Sequence, residues 1–571
     1  MKHFLLTLFV FVYSPLFSFA ADEFKLWVYL PANLLVDANV ENSIKLIHRA
    51  SQAGYNGVLL TDSKFCRWDK LPERYAENVK RFRNECRKLN LELFAAVCPV
   101  GYSNDMLSRN PNLAEGLPVV NAPFFVQNGK LVPEPVDVLK NGSFEEHRGN
   151  SPTGWGFIDE PGKISFIDGE VKSNGRVSLR MQDIGLDEPR NGRAMQKLTV
   201  EPFHYYHVSV QIKTESFDST AAMNIAVLGE DGMSLNWHFP KVEPTQDWKQ
   251  IDITFNSLEN SSVNIYFGTW GGRKGKVWWD DVRIEQGGFV NVLRRDGTPL
   301  KMTSGDGKTE YAEGIDVEPL VDKLTGNDPY EGCFTAWHKP PEIAVPKTSR
   351  LKEGQRVLIS YYHTAVIYGE QVGMCMAEPE TREMLRWQIE QVKKNLDPDG
   401  YFMSYDEMRQ AGWDKSCLDT GKRPAEVLAD NVEFCVKTIK EIAPGKEIAV
   451  WSDMFDPLHN ASKDGYYYLV KGKAPWFGSW EKLPKDVIVG NWNSDPKIRK
   501  ESYRHFAQRG HQQMLAGYYD AEPVKERIRQ WMQDVSPDEK LRGVIYTTWT
   551  NNYGPLERFA EAVKKEFYRQ R

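Results

Sequence analysis

Several features that place a protein quickly are missing from this sequence. None of its 7 cysteines (Cys66, Cys86, Cys98, Cys333, Cys375, Cys417 and Cys435) forms a Cys-x-x-Cys pair. Zinc ribbons and thioredoxin-like redox sites are therefore disfavoured, and a set that is odd in number and widely spaced is no disulfide scaffold. At least one thiol stays unpaired, and most are expected to be buried as small hydrophobes. His-Glu-x-x-His, Gly-x-Ser-x-Gly and the Gly-x-x-x-x-Gly-Lys-Ser/Thr phosphate loop do not occur, nor does a Cys-x-Pro-x-Arg run. Zincin, α/β-hydrolase, nucleotide-hydrolase and sulfatase chemistries lose their usual signatures with them. There is no basic domain: net charge is −6 and the pI about 6.1, which disfavours a nucleic-acid partner. No repeat or low-complexity tract interrupts the chain.

What is present is an ordinary globular composition, 41% hydrophobic and 26% charged, over 571 residues. The first 20 residues read as a secretory leader. Lys2 and His3 supply the positive end, Phe4 to Val12 the apolar run, and Ser18 and Ala20 the small residues before a cleavage at Ala21. An N-terminal anchor is the alternative. No other segment approaches the roughly 20 apolar residues of a membrane helix, so the mature chain is expected to be soluble, without a membrane span, and secreted or periplasmic. The 17 Trp and 24 Tyr suit sugar stacking as well as ordinary cores.

Strand-like and helical runs alternate along much of the chain. Leu26-Trp27-Val28-Tyr29-Leu30, Gly57 to Thr61 and Leu91 to Val97 read as strands, with helices at Ser43 to Ala53 and about Tyr75 to Leu89. The alternation stops for about 240 residues and resumes at a helix over Glu380 to Leu396. Five further strands follow: Tyr401 to Tyr405, Glu447 to Ser452, Asp486 to Gly490, Gln513 to Gly517 and Gly543 to Thr547. Helices are expected at Ala425 to Ile442, Pro496 to Arg509, Val524 to Gln533 and Leu556 to Tyr568. Eight parallel β/α units predict an α/β fold, a (β/α)8 TIM barrel. An open doubly wound sheet is the runner-up, disfavoured because no Gly-rich loop follows the first strand. The barrel is assigned residues 21–117 and 377–571. An all-β jelly-roll sandwich over 141–285 is inserted between strands three and four, carried by a smaller β subdomain over 118–140 and 286–376.

The sandwich opens with Asn141-Gly142-Ser143-Phe144-Glu145 and Trp155, and closes with Val277-Trp278-Trp279-Asp280-Asp281-Val282-Arg283-Ile284-Glu285. This frame resembles the carbohydrate-binding modules of the family 4, 9 and 22 type that accompany glycoside hydrolases. The resemblance implies a structural calcium where the two ends meet, with Glu145 and Asp281 as ligands; a turn cap or pairing with basic residues is the alternative. Trp237, Trp270 and Tyr266 are candidates for a sugar platform, or else for the sandwich core.

In a (β/α)8 barrel the active site lies where the strands end. The predicted strand ends carry Asp62, Asp406-Glu407, Trp451 with Asp453, Trp492, Tyr518-Tyr519-Asp520 and Trp549. Aromatic walls and acid/base carboxyls at one rim are what a sugar pocket needs. Asp406-Glu407 after strand four resembles the Asp-Glu pair of family 20 glycoside hydrolases, the β-N-acetylhexosaminidases. That resemblance implies hydrolysis of a terminal β-linked N-acetylhexosamine by substrate-assisted retaining catalysis, without a catalytic cofactor. Glu407 would be the general acid and Asp406 would orient the acetamido group. Tyr518 or Tyr519 would steady the acetamido oxygen, and Trp451, Trp492 and Trp549 would wall its pocket. Phe402-Met403-Ser404-Tyr405 stands where that family has His-x-Gly-Gly, and the first strand lacks its arginine. The sequence is thus expected to be a divergent relative. Asp62 is expected at a substrate hydroxyl or as a structural residue, and Asp453 and Asp520 are expected among the substrate-binding residues. Three alternatives stay open: a two-carboxylate glycosidase using Glu407 with Asp453, a non-catalytic glycan-binding protein, and, for Asp406-Glu407, an acidic helix first turn. His363 is expected to be structural or to cover the cleft.

Overall fold

The computed structural model describes residues 24–570 except 187–189, 273, 519, 521 and 536–539. The leader and Tyr519 therefore lie outside the described residues. Among these residues no helix is long and apolar enough to cross a membrane.

Eight strands close into one parallel barrel: β1 (Lys25–Pro31), β2 (Gly57–Thr61), β3 (Glu92–Val97), β4 (Gly400–Met403), β5 (Glu447–Trp451), β6 (Ile488–Asn491), β7 (Gln513–Leu515) and β8 (Leu541–Tyr546). Closure is made by β1 pairing with β8, from Lys25 opposite Gly543 to Val28 opposite Tyr546. An open doubly wound sheet is excluded by that pairing. Helices α1 (Asp37–Ala53), α2 (Glu73–Lys88), α3 (Pro379–Asn395), α4 (Pro424–Ile442), α5 (Arg499–Arg509), α6 (Val524–Asp534) and α7 (Leu556–Gln570) follow or precede the strands. Between β5 and β6 the chain makes two 3-10 turns, Asp453–Phe455 and Ser479–Lys482, and a two-residue strand, Leu469–Val470, in place of a long helix.

Alternation of side chains along a strand sorts the core into two layers. Trp27, Leu59, Phe94, Phe402, Ala449, Trp451, Met514 and Ile545 point inward and fill the barrel. Their neighbours Val28, Leu60, Ala95, Tyr401, Val450, Leu515 and Val544 point outward against the helices. The apolar stripe of α4 (Leu428, Val432, Cys435, Val436 and Ile439) is buried in that outer layer.

The chain between β3 and β4 builds three large sheets and a two-stranded hairpin, His147–Arg148 with Ser151–Pro152. Two are five-stranded and stack as a sandwich, ordered Gln246–Asn256, Tyr205–Glu215, Lys276–Gln286, Ser178–Gln182, Ser165–Asp168 in one, and Ser234–His238, Met223–Gly229, Ser262–Thr269, Gly192–Thr199, Phe157–Ile158 in the other. Trp279, Phe267, Ile253 and Val210 lie between them. The third sheet has six strands, centred on Leu117–Gln127 and Arg356–His363. It is tied to the sandwich by Asn256 Nδ2 donating to the Pro118 carbonyl (2.9 Å) and Gln286 Nε2 to those of Pro123 (3.0 Å) and Glu134 (2.8 Å). Six of the seven cysteines are buried and all are free thiols.

At the closed floor of the barrel, a methyl at Gly57 would lie 2.2 Å from Trp27 Cδ1, and Trp27 has no exposed surface. Gly57→Ala is expected to cost about 1–3 kcal/mol through overpacking. It should lower the thermal midpoint, and adding Trp27→Leu should recover part of the loss.

Candidate functional site

The carboxyl ends of the barrel strands open into a cavity of about 710 Å3, within the roughly 300–1,000 Å3 of small-molecule sites. Tyr29, Phe402, Trp451, Trp492 and Trp549 wall one side, Tyr102 and Tyr368 come from outside the barrel strands, and Asp62, Asp105, Asp406 and Glu407 supply carboxylates. Among the described residues no lysine or arginine lines it. Trp549 is 51% exposed and Tyr102 40%, so both stand at the mouth. Tyr29 sits between Trp549 (5.4 Å between rings) and Trp451 (6.4 Å), making one continuous aromatic wall.

Residues 404–409 are neither helix nor strand, which rules out the acidic helix first turn for Asp406-Glu407. Glu407 instead has a left-handed backbone, φ 48°, a conformation costly for a residue with a Cβ. Surrounding bonds hold it there. Its N–H donates to Asp453 Oδ2 (2.9 Å), and its carbonyl accepts from Gln371 Nε2 (2.8 Å). Its carboxylate pairs with Arg409 (2.8 Å) and accepts from the Tyr102 hydroxyl. Arg409 is buried, stacks 3.9 Å over the Tyr368 ring and donates to Gln371 Oε1 (2.5 Å). Glu407 is thus fixed on both sides.

Asp406 is half-buried beside it. Desolvation, then the negative charges of Asp453 and Glu407, push its carboxyl well above the ordinary carboxylate range. These two causes favour the protonated form.

The structure brings together most of the expected rim. Trp451, Trp492, Trp549 and Asp62 line the cavity with Asp406 and Glu407. Asp62 is 4% exposed, and its oxygens accept from Leu34 N–H (2.9 Å), Lys64 N–H (2.9 Å) and the Tyr75 hydroxyl (3.1 Å), so it braces the wall more than it offers itself to a ligand. Asp453 is fully buried and does not line the cavity. Besides Glu407 it accepts from Trp492 Nε1 (3.0 Å) and Asn460 Nδ2 (2.8 Å). It orients the aromatic wall and the Glu407 loop together. Burial raises its pKa, opposed chiefly by His459.

Two expectations, Tyr518 and Asp520 as substrate contacts, need correction, and of the two readings of His363 the structural one holds. Tyr518 is fully buried away from the cavity, in the layer between barrel and helices, with Tyr546 and Phe559 at 5.1 and 5.2 Å between rings; the apolar packing demanded by α7 claims it. Asp520 also stays off the cavity and accepts from the Trp549 (3.0 Å) and Thr550 (3.3 Å) N–H groups, shaping the loop that presents Trp549. His363 is fully buried against Tyr205 at 3.7 Å and shares a hydrogen bond with Asn256 (3.1 Å), which makes it structural; burial lowers its pKa to about 3.

The residues do not fit a calcium held by Glu145 and Asp281. Glu145 accepts from Arg176 N–H (2.6 Å), Arg176 Nε (3.0 Å) and Val177 N–H (3.2 Å), and Asp281 is paired with Arg283 (2.8 Å). Guanidinium groups already occupy the carboxylates, whereas Ca2+ wants six to eight oxygens of its own. Trp237, Trp270 and Tyr266 are half-buried neighbours outside the sandwich core, with Trp270 5.3 Å from Trp237 and 6.3 Å from Tyr266.

A family profile described as "Carbohydrate binding domain" matches residues 136–275. The chain contains a carbohydrate-binding domain. The tRNA nuclease WapA of Bacillus subtilis (strain 168) is 27% identical over 176 residues, 28% of this chain and 7% of that protein; the chain spans only that small share of its curated relatives. Among solved structures, a family 16 carbohydrate-binding module resembles 26% of the chain over 99% of its own length, with 15% identity and a TM-score of 0.20. A rhamnosidase from Novosphingobium sp. PP1Y aligns over 96% of this chain and 60% of its own, with 10% identity and a TM-score of 0.35.

The sequence reading missed Tyr102, Tyr368, Gln371 and Arg409. Arg409 stands two residues after Glu407 and Tyr102 five residues after the end of β3, and those spacings were the available signals; Tyr368 and Gln371 reach the site only through the insertion's return path. Because folding favours the protonated Asp406, the contribution of this one residue to stability is greatest at low pH and is lost as pH rises from about 3.9, the unfolded-chain value, through its higher folded value. Asp406→Asn is therefore expected to raise the thermal midpoint at pH 7, with the difference shrinking as pH drops toward that value.

Proposed function

We propose that the barrel is a glycoside hydrolase acting on a neutral sugar, exported to where glycans are met, and that the sandwich brings it to its substrate. The observation that carries this reading is the Asp406-Glu407 pair inside an aromatic-walled cavity, one carboxyl desolvated and the other paired. A carboxyl biased toward its protonated form is what a leaving glycosidic oxygen requires. Asp406 has that bias. Glu407, pinned by Arg409 and Tyr102, faces the positive charge that develops at the anomeric carbon. The roles are thus exchanged relative to those implied by the family 20 resemblance. With four carboxylates and no basic residue on its walls, the cavity disfavours uronic or sulfated sugars. The flat wall of Trp451, Trp492 and Trp549 suits a pyranose C–H face, and Trp237, Trp270 and Tyr266 offer the sandwich a second stacking surface.

The narrower reading is substrate-assisted hydrolysis of a terminal β-linked N-acetylhexosamine. The adjacency of the two carboxyls favours it, because the acetamido oxygen then replaces a nucleophile on the far face of the ring. A two-carboxylate scheme with Asp453 is disfavoured by that residue's burial and three N–H partners.

Aryl glycosides test both levels. Asp406→Asn and Glu407→Gln are each expected to lose about 10²–10⁴-fold in kcat. Asp406→Asn should retain activity on dinitrophenyl glycosides, whose leaving group needs no proton. Sparing in Glu407→Gln instead would restore the proton to Glu407. Release from β-GlcNAc and β-GalNAc alone, blocked by a thiazoline, supports the acetamido mechanism; equal release from β-Gal or β-Glc removes it. Undiminished turnover in both variants would refute the assignment.

A further inference from the structure

Away from the cavity, four side chains from three distant parts of the chain converge in the interior. Glu115 lies at the start of the insertion, Cys375 at its end, and Asp414 and Cys417 on the loop between β4 and α4. Among the described residues they are the one group of three or more His, Cys, Asp or Glu whose donor atoms gather closely enough to hold a metal, all within 4.8 Å of one another. All four are buried, Asp414 completely.

The separations are specific. The two sulfurs are 3.6 Å apart, Cys375 Sγ is 3.4 Å from Asp414 Oδ1, and Cys417 Sγ is 3.6 Å from Glu115 Oε2. A tetrahedron with the usual zinc bond lengths would place sulfur from sulfur at about 3.8 Å and sulfur from oxygen at about 3.5 Å. The remaining carboxylate oxygens are held from outside. Glu115 Oε1 accepts from Trp413 N–H (3.0 Å), and Asp414 Oδ2 accepts from Arg295 and from Gly116 N–H (3.4 Å). Each carboxylate thus turns one oxygen toward the sulfurs and has the other oriented by the fold, as outer-shell partners do at metal sites; the inner Asp414 oxygen, Oδ1, also accepts from Cys417 N–H (2.9 Å), which leaves it one lone pair for a cation. Charge points the same way. Among the described residues Arg295 is the one guanidinium bonded to the group, and it is shared with Glu378 (2.6 Å). The carboxyls of Glu115, Asp414 and Glu378 face one guanidinium, and a divalent cation would offset the charge set free as Glu115 and the two thiols lose their protons to it.

We propose that Glu115, Cys375, Asp414 and Cys417 form a structural zinc site that fastens both ends of the insertion to the loop carrying Asp406 and Glu407. With four protein ligands it is closed, and it holds the loop in place without meeting substrate. Cysteine and carboxylate ligands so far apart in sequence present no Cys-x-x-Cys spacing.

The test uses the full chain purified under reducing conditions. About one zinc per chain is expected by mass spectrometry of the metal, with absorption fine structure showing two sulfurs near 2.3 Å and two oxygens near 2.0–2.2 Å. Cobalt exchanged into the site should give tetrahedral d–d bands and a thiolate charge-transfer band. Cys375→Ser and Cys417→Ser should each weaken that band, and the milder Glu115→Gln should shift the d–d bands while leaving the thiolate band. Removing zinc by chelation should lower the thermal midpoint, and zinc but not magnesium should restore it. Failure of the reduced wild-type chain to bind zinc or cobalt would overturn the proposal. So would an octahedral cobalt spectrum without thiolate character, or a Cys375–Cys417 disulfide in metal-free protein that remains metal-free after reduction and zinc addition.

Discussion

One buried carboxylate organises the mouth of the barrel. Asp453, at the end of β5, accepts from the Glu407 backbone after β4, the Trp492 indole after β6 and Asn460 on its own loop. A charge without water is costly unless donors surround it, so three loops are drawn to it and their relative positions are fixed. The left-handed turn at Glu407 is tolerable because this bond and the Gln371 bond hold it in place. The aromatic wall and the acidic pair are therefore set by one residue that does not itself line the cavity.

The insertion completes the same site from the other side. It leaves the barrel after β3 and returns before α3, and on its return it delivers Tyr368 and Gln371 to the Glu407 loop. Arg409 joins the parts, lying under Tyr368 and paired with Glu407. The sandwich thus sits on a subdomain with direct contacts to the candidate catalytic loop. The adjoining Glu115, Cys375, Asp414 and Cys417 group ties the same two bodies together at a second point. Loop positions that would be soft on an isolated barrel become fixed by long-range contacts, as a preorganised site requires.

Much of the architecture was legible in the sequence. The alternation of short apolar strands with amphipathic helices gave the number of barrel strands and the position of the break, because burial on both faces of a parallel strand leaves a compact apolar run. Strand limits were displaced by a residue or two, as at β4, where Tyr405 belongs to the following loop. The Asp406-Glu407 pair and the tryptophans Trp451, Trp492 and Trp549 were visible because strand ends in a barrel share one rim. Asp453 and Asp520 were visible as carboxylates, but whether a carboxylate faces a cavity or a set of backbone N–H groups depends on loops folding over it. Tyr518 shows the same limit, since one turn of the chain decides between the cavity and the helix layer.

By itself the sequence determined the barrel, the inserted β-sandwich and the acidic pair at the rim, because periodicity and local composition are properties of neighbouring residues. Only the tertiary structure decided which carboxyl is desolvated, which is paired with Arg409, and that Glu115, Cys375, Asp414 and Cys417 meet. Those outcomes depend on groups hundreds of residues apart, and electrostatics and coordination act through distance in space, which the order of the chain does not encode directly.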